Sequence, residues 1–198
     1  MNLPNKLTAS RLVLTVVFVI VMVSQMPYHE TIALVLFAVA SITDYWDGKI
    51  ARRDKLITNF GILMDPLADK IMVCSAFIAF VGAPNIRVPA WMAVVIVARE
   101  LAITGLRLLA AAKNVVLAAE RYGKHKTASQ IVAIISLLVL AGYDQWGPLG
   151  KLIFGFQVGG YGWVPVFTWL ALRWAVLMTL VSGATYLWRN RELYIQDM

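Results

Sequence analysis

Four aspartates, Asp44, Asp47, Asp65 and Asp69, lie near one another in the sequence, beside long apolar stretches. The first pair is three residues apart and the second pair four, so each pair would lie on one face of a helix. Converging carboxylates in a poorly hydrated place repel one another unless cations lie between them. Oxygen ligands without His or Cys favour Mg²⁺ or Mn²⁺ over zinc. The spacing therefore predicts a site for two divalent ions, an arrangement that stabilises a transferring phosphoryl group.

Small residues and one arginine accompany these aspartates. Gly48, Ala51 and Gly61 provide little or no side chain where a ligand or another helix comes close. Arg52, one turn beyond Gly48, can bind a phosphate through two nitrogens. The alternative is a solvated loop whose acids pair with the neighbouring lysines and arginines. The glycines and the spacing favour a binding site for a phosphorylated ligand.

The composition of the chain is typical of a membrane protein. Its 198 residues are 60% hydrophobic and 15% charged, with a mean hydropathy of +0.72, whereas soluble domains are about half apolar and a quarter charged. Runs long enough to approach the roughly 20 residues that span a bilayer are found at 10–26, 31–48, 65–83, 89–110, 127–143 and 164–187. Such runs must satisfy their own backbone hydrogen bonds and are too long for barrel strands. We therefore expect an all-α, polytopic protein with six transmembrane helices.

The organisation of the chain follows from the same runs. We expect the opening residues, MNLPNKLTAS, to form a short interfacial helix, because Leu3 and Leu7 are four residues apart. No internal repeat or linker is evident, so residues 1–198 are predicted to form a single domain. The one cysteine, Cys74, excludes an intrachain disulfide and a cysteine-rich metal site.

The basic residues predict the orientation. With six spans, the segments on one side hold most of the Lys and Arg residues, whereas those on the other side hold only Arg87 and Lys151. The positive-inside rule then places both termini and the aspartates on the cytoplasmic side. The first run lacks a small-x-small cleavage site, which argues against a cleaved signal peptide. We expect a multi-pass protein of the cell inner membrane, and we attribute the net charge of +7 to orientation and anionic ligands, not to nucleic acid.

A second set of charged residues lies in and after the fourth predicted span. Arg99, Glu100 and Arg107 interrupt an apolar run, and ionisable groups at membrane depth usually face a polar cavity or a partner. A structural Arg–Glu pair is the alternative. Lys124 and Lys126 follow in GKHKT, where they could instead set the topology or contact anionic lipids. A pocket formed by Arg107, Lys124 and Lys126 would suit an acceptor that carries its own phosphate.

The motif Asp44-x2-Asp47-Gly48-x2-Ala51-Arg52-x8-Gly61-x3-Asp65-x3-Asp69 resembles, without a departure, the signature of the CDP-alcohol phosphatidyltransferase family. The resemblance implies a six-helix, homodimeric membrane enzyme that moves a phosphatidyl or related group from a CDP-linked donor to an alcohol and releases CMP. It also implies that the four aspartates bind two divalent ions and that Asp69 acts as the base. Gly48, Ala51, Arg52 and the Thr58 region would then hold the donor.

Two further stretches extend this resemblance. The opening NKLTASR is similar to the family's Asn-x2-Thr-x2-Arg, which would place Asn5 and Thr8 near the nucleotide. The sequence ARE before LR in the fourth run, together with GKHKT, resembles the phosphatidylglycerophosphate synthase branch. This likeness implies CDP-diacylglycerol as donor, sn-glycerol 3-phosphate as acceptor and phosphatidylglycerophosphate as product.

Two other interpretations stay open. The signature describes donor chemistry, so inositol phosphate, phosphatidylglycerol or serine could be the acceptor. A divalent-cation transporter would also carry carboxylates in its membrane helices. A transporter, however, is expected to place its acids near the midplane on broken helices, whereas these aspartates lie at predicted helix ends beside Gly and Arg.

Overall fold

The structure is a computed structural model that describes residues 3–24, 26–54, 59–113, 115 and 121–195. Within these ranges, the side chains of residues 3–7, 44–54, 59–63, 65, 66, 69, 112, 121–124 and 195 lie outside the description. The helices are α1 (Leu3–Ser24), α2 (His29–Asp54), α3 (Asn59–Gly82), α4 (Ala90–Ala112), α5 (Arg121–Gly142), α6 (Gly147–Phe154), α7 (Trp163–Arg189) and α8 (Glu192–Ile195). A 3-10 turn, Tyr143–Trp146, joins α5 to α6, and strands β1 (Gln157–Val158) and β2 (Tyr161–Gly162) precede α7.

The fold is mostly helical, as the apolar runs predict. Each predicted run lies in one of the six long helices and reaches at most two residues beyond it. In the described part of the chain, two helical stretches are long and apolar enough to cross a membrane, His125–Phe154 and Trp163–Arg189. The apolar parts of α1, α2 and α3 are shorter, and α4 is 23 residues long but contains three charged residues. Six spans therefore stay a prediction, whereas an all-helical membrane architecture agrees with the structure.

One detail differs from the sequence-based expectations, and a second was not predicted. The short interfacial helix is not separate, because α1 runs without a break from Leu3 to Ser24. Pro4 lies in the first turn of α1, where its missing N–H costs no helical hydrogen bond. The all-α class agrees with the structure, to which β1 and β2 add an antiparallel hairpin with two residues in each strand. Its turn residues, Gly159 and Gly160, have φ of 61° and 84°, a backbone that glycine adopts without a steric penalty.

The outward face of α1 shows why this fold suits a lipid environment. The buried stripe of α1 is polar at its first half, with Thr8, Arg11 and Thr15, and apolar further on. Between Val13 and Val23 the exposed stripe on the other side is apolar, with Val13, Val16, Ile20 and Val23 more than half exposed. A soluble helix has the opposite distribution. An apolar outer face with polar side chains inside is the arrangement that a bilayer stabilises.

Helix packing produces one main core. Helix α1 packs against α2 and α3, α5 packs against α7 and α2, and α4 packs against α7 and α3. Rings from α1, α2 and α3 meet in the middle of this core: Phe18, Phe37, Phe77 and Phe80. A smaller apolar cluster lies between α4 and the end of α7, around Ile103, Leu106 and Tyr186.

The two ends of the helical bundle are tied by polar contacts. At one end, the buried Glu30 of α2 accepts hydrogen bonds from Asn85 Nδ2 at 2.7 Å and Gln145 Nε2 at 3.1 Å. These bonds join the start of α2 to the α3–α4 loop and the 3-10 turn. At the other end, Lys113 Nζ donates to the Leu193 carbonyl at 2.9 Å, which joins the end of α4 to α8. The termini of successive helices therefore alternate between the two ends of the bundle, as expected for a chain that crosses a membrane repeatedly.

Candidate functional site

The aspartate motif lies on two long helices. The last turns of α2 carry Asp44, Asp47, Gly48, Ala51 and Arg52, and the first turns of α3 carry Asp65 and Asp69. The side chains of these motif residues lie outside the described part, and so does Thr58 as a whole. Among the side chains that are described, there is no group of three or more His, Cys, Asp or Glu that could hold a metal ion. The structure thus fixes the helices that carry the motif, and the metal site itself stays a prediction.

Ring contacts show how the three helices are aligned. The ring centroid of Phe18 is 6.2 Å from that of Phe37 and 6.5 Å from that of Phe80. Thr8 is ten residues before Phe18, Asp47 ten residues after Phe37, and Asp69 eleven residues before Phe80. At a helical rise of about 1.5 Å per residue, all three lie about 15 to 17 Å from the aromatic contacts toward the same end of the fold. The backbone therefore brings α1, α2 and α3 to one level at the predicted site.

The buried face of α1 presents polar groups near that level. Thr8 is fully buried and Arg11 is 1% exposed, and α1 packs on the two helices that carry the aspartates. Thr8 was predicted to lie near the donor nucleotide, and its burial on this face is compatible with that prediction. The side chain of Asn5 lies outside the description. Sequence reasoning did not predict that the side chain of Arg11, the arginine of NKLTASR, is buried.

A cluster of polar side chains lies between α3, α4, α5 and α7, and we call it the α4 polar cluster. The Lys126 ammonium donates to Glu100 Oε1, and both side chains are buried. The Lys70 ammonium donates to Thr104 Oγ1, and this hydroxyl in turn donates to the Glu100 carbonyl at 2.7 Å. Lys70 is next to Asp69 in α3, so the α4 polar cluster lies beside the helix that carries the second aspartate pair.

Arg99 of α4 contacts both Glu100 and helix α7. Arg99 Nη1 lies 3.3 Å from Glu100 Oε1, and Arg99 Nη2 donates to Ser182 Oγ at 3.3 Å. Glu100 is therefore shared by two cations, Arg99 and Lys126. The structural Arg–Glu pair, which the sequence left as an alternative for these residues, is present in the structure.

The second arginine is held differently. Arg107 Nε donates to the Tyr186 hydroxyl at 3.2 Å, and the guanidinium carbon lies 5.6 Å from the centroid of the Tyr186 ring. Arg107 is exposed, whereas Tyr186 is buried. Because residues 100 and 107 are two helical turns apart, Arg107 lies on the same side of α4 as Glu100 and about 10 Å further along the axis.

The predicted acceptor residues are thus only partly brought together. Lys126 is buried against Glu100, Arg107 is exposed two turns away on α4, and the side chain of Lys124 lies outside the description. Sequence reasoning did not select Lys70 or Tyr186. Lys70 could have been found, since an ammonium in an apolar run needs a polar partner. Tyr186 could not, because a tyrosine near the end of a membrane helix is equally typical of an interface anchor.

Gly183 provides a test of how closely α4 and α7 must approach. A Cβ atom at Gly183 would lie 3.0 Å from Arg99 Cγ. Gly183→Val should therefore displace Arg99 from Ser182 and Glu100, and we expect it to lower the free energy of unfolding by about 1 to 3 kcal/mol. The melting temperature of the detergent-purified protein measures this effect.

Gly105→Val is the matched control for that substitution. Gly105 is also a helical glycine, in α4, but a Cβ there would meet no atom within 4 Å. Equal melting temperatures for the two variants would show that the contact between Gly183 and Arg99 is not tight.

Comparison with known proteins gives a consistent set of similarities. The pattern of the CDP-alcohol phosphatidyltransferase family matches residues 1–181. A protein of Bacillus subtilis named CDP-diacylglycerol–glycerol-3-phosphate 3-phosphatidyltransferase is 38% identical, with 96% of each chain covered. A protein of the same name from Rickettsia typhi is 32% identical over 93% of this chain and 94% of its own. A probable phosphatidylglycerophosphate synthase of Mycobacterium tuberculosis is 36% identical over 95% of this chain and 81% of its own.

Proposed function

Because the chain belongs to the CDP-alcohol phosphatidyltransferase family, we propose that it transfers the phosphatidyl group of CDP-diacylglycerol to sn-glycerol 3-phosphate. The products are phosphatidylglycerophosphate and CMP. The observation that carries this proposal is the similarity, over nearly the whole chain, to relatives named for this reaction. The complete aspartate motif on α2 and α3 supports it.

The family generally depends on divalent metal ions. We propose that Asp44, Asp47, Asp65 and Asp69 hold two such ions, Mg²⁺ or Mn²⁺. The four carboxylates suit these ions, because hard ions prefer oxygen ligands. Since α2 and α3 reach the same level, both helices can provide ligands. When bound, the ions neutralise the donor diphosphate and stabilise the departing CMP.

The residues of the chain supply the other requirements of the reaction. Asp69 accepts the proton of the acceptor hydroxyl as that oxygen attacks the phosphorus. Arg52 binds a donor phosphate, and Gly48 and Ala51 allow the donor to approach the backbone of α2. Asn5, Thr8 and Thr58 complete the donor site. The burial of Thr8 on the face of α1 that packs against α2 and α3 supports its place in this list.

We propose that Arg107, Lys124 and Lys126 bind the phosphate of the acceptor. Four cations, Lys70, Arg99, Arg107 and Lys126, and one acid, Glu100, lie on or against α4 in the described part of this region, and two of the cations, Arg99 and Lys126, contact the acid. Such an excess of positive charge attracts an anionic acceptor. Lys126 can exchange Glu100 for the acceptor phosphate, because Arg99 remains beside Glu100 to neutralise it.

The membrane arrangement belongs to the same proposal. The protein is a membrane enzyme, and we propose that residues 1–198 form a single domain with six spans in the cell inner membrane, with both termini and the active site cytoplasmic. The excess of Lys and Arg on one side supports this orientation. The exposed apolar stripe of α1 supports contact with membrane lipids. The family resemblance supports a homodimer.

Release of CMP by the detergent-purified protein tests the proposed function. The protein is given CDP-diacylglycerol with Mg²⁺ or Mn²⁺, and each candidate acceptor is offered separately. We expect release with sn-glycerol 3-phosphate, the acceptor in the names of the relatives, and none with inositol phosphate, phosphatidylglycerol or serine. The cationic excess around α4 also disfavours serine, which carries no phosphate. Chelation of the metal should abolish release.

The other outcomes separate the alternatives. Release only with a different acceptor would keep the aspartate site and overturn the acceptor assignment. Absence of release with every acceptor, combined with flux of Mn²⁺ into vesicles that contain the protein, would favour the transporter.

A further inference from the structure

The contact between Arg107 and Tyr186 leaves the arginine ready to bind an anion. The Tyr186 hydroxyl accepts a hydrogen bond from Nε, at 3.2 Å. The two terminal nitrogens, which bind the two oxygens of a phosphate or carboxylate together, are not used by this bond. Arg107 is exposed, so a ligand can reach its side chain.

Tyr186 itself is held firmly. It is 3% exposed and packs with Ile103 and Leu106 in the smaller apolar cluster between α4 and α7, with Leu193 and Tyr194 at its edge. A buried ring of this kind has little freedom of rotation. The hydroxyl therefore forms a fixed point on α7 for an arginine on α4 that would otherwise sample many rotamers.

The neighbouring charged side chains indicate the sign of the charge on a ligand of Arg107. Arg99 and Lys126 lie on the same side of the fold, and Glu100 is the acid between them. Because the described cations of the region outnumber this acid, an acidic group on the ligand is favoured over a basic one. Arg99 and Lys126 pair with Glu100, whereas a ligand can meet the exposed Arg107 without first breaking an ion pair with this acid.

We propose that Tyr186 is a positioning residue that orients the Arg107 guanidinium toward the phosphate of the acceptor. This inference rests on the proposed function, in which Arg107 binds that phosphate. A guanidinium fixed through Nε presents its two terminal nitrogens in one orientation, so less conformational entropy is lost when the phosphate binds. Helix α7 thus takes part in acceptor binding without a charged residue of its own at this point.

The test is Tyr186→Phe, which removes the hydroxyl and keeps the ring. We expect KM for sn-glycerol 3-phosphate to rise about three- to tenfold, which corresponds to the net contribution of one typical hydrogen bond. The value of kcat and the KM for CDP-diacylglycerol should not change, because an interaction that helps substrate and transition state equally affects KM alone. CMP release under steady-state conditions gives all three values.

Two further variants show whether Tyr186 acts through Arg107. Tyr194→Phe is the matched control, because Tyr194 lies in the same cluster and its hydroxyl donates to the Leu187 carbonyl at 3.2 Å; its acceptor KM should equal that of the unaltered protein. In an Arg107→Lys background, which lacks Nε, the change Tyr186→Phe should have no additional effect on KM.

The results that would overturn the inference are distinct from those that would overturn the proposed function. An unchanged acceptor KM in Tyr186→Phe, or a parallel rise in the KM of both substrates with a lower melting temperature, assigns Tyr186 to packing alone. An unchanged acceptor KM in Arg107→Ala, which removes the charge, excludes Arg107 from the acceptor site and the inference with it. If the unaltered protein releases no CMP with sn-glycerol 3-phosphate, the proposed function itself fails.

Discussion

Asp69→Asn is expected to lower the rate of CMP release by about 10²- to 10⁴-fold, the usual contribution of a positioned general base. An amide cannot accept the proton of the acceptor hydroxyl, and it is a poorer ligand for a divalent cation than a carboxylate. Asn keeps the shape of Asp, so the packing of α3 should be preserved. Initial rates with saturating CDP-diacylglycerol and sn-glycerol 3-phosphate measure the effect, together with the melting temperature of the variant.

Asp144→Asn is the control for this prediction. Asp144 is exposed in the 3-10 turn, at the end of the fold opposite to the aspartate motif, and its replacement should leave the rate unchanged. A rate for Asp69→Asn within a factor of about two of the unaltered protein would be too small a loss for a general base. In that case another group must accept the proton, and the catalytic assignment of Asp69 is wrong.

Glu100→Gln is expected to cause the largest loss of stability among single substitutions in the α4 polar cluster. Lys126 and Arg99 both pair with this carboxylate, and the side chains of Glu100 and Lys126 are 5% and 6% exposed. Removal of the charge takes from both cations, in a poorly hydrated place, the carboxylate that they share in the described part of the chain. The free energy of unfolding should fall by about 3 to 5 kcal/mol, as when one partner of a buried ion pair is removed. The melting temperature in detergent reports the change.

A compensating variant tests the reason for that loss. Glu100→Gln combined with Lys126→Met removes one of the two cations that pair with this carboxylate, and it should recover much of the lost stability while CMP release stays low. Glu192→Gln is the matched control, because Glu192 is an exposed residue of α8. If Glu100→Gln melts at the temperature of the unaltered protein, the carboxylate is not needed to neutralise Lys126 and Arg99, and the exchange of Glu100 for an acceptor phosphate loses its basis.

The positions of the long helices follow from the sequence because their signals are local. A run of apolar residues of spanning length, bounded by Pro, Gly and charged residues, specifies a helix without reference to the rest of the chain. The separate interfacial helix was wrong, and the short hairpin was not predicted, for equally local reasons. Pro4 does not end a helix in its first turn, and the Gly159–Gly160 pair is a hairpin signal that sequence reasoning passed over.

The pairing of side chains across helices is a different kind of information. Lys126 meets Glu100 from 26 residues away, and Tyr186 meets Arg107 from 79 residues away. No periodicity within α4 indicates these partners, because they depend on which faces of α5 and α7 pack against it. For that reason the sequence predicted a cationic pocket from Arg107, Lys124 and Lys126, and could not show that Lys126 is paired inside the protein.

The sequence by itself determined that this is a helical membrane protein, which residues form the aspartate motif, and which family that motif resembles. These properties depend on residue type and on spacing along single helices, and the amino-acid sequence contains both directly. Only the tertiary structure decided that α1, α2 and α3 align at one level, that Glu100 neutralises two cations and that Tyr186 holds Arg107. Those contacts join distant segments, and they form because burial of the helices leaves each polar side chain only the partners that the neighbouring helices present.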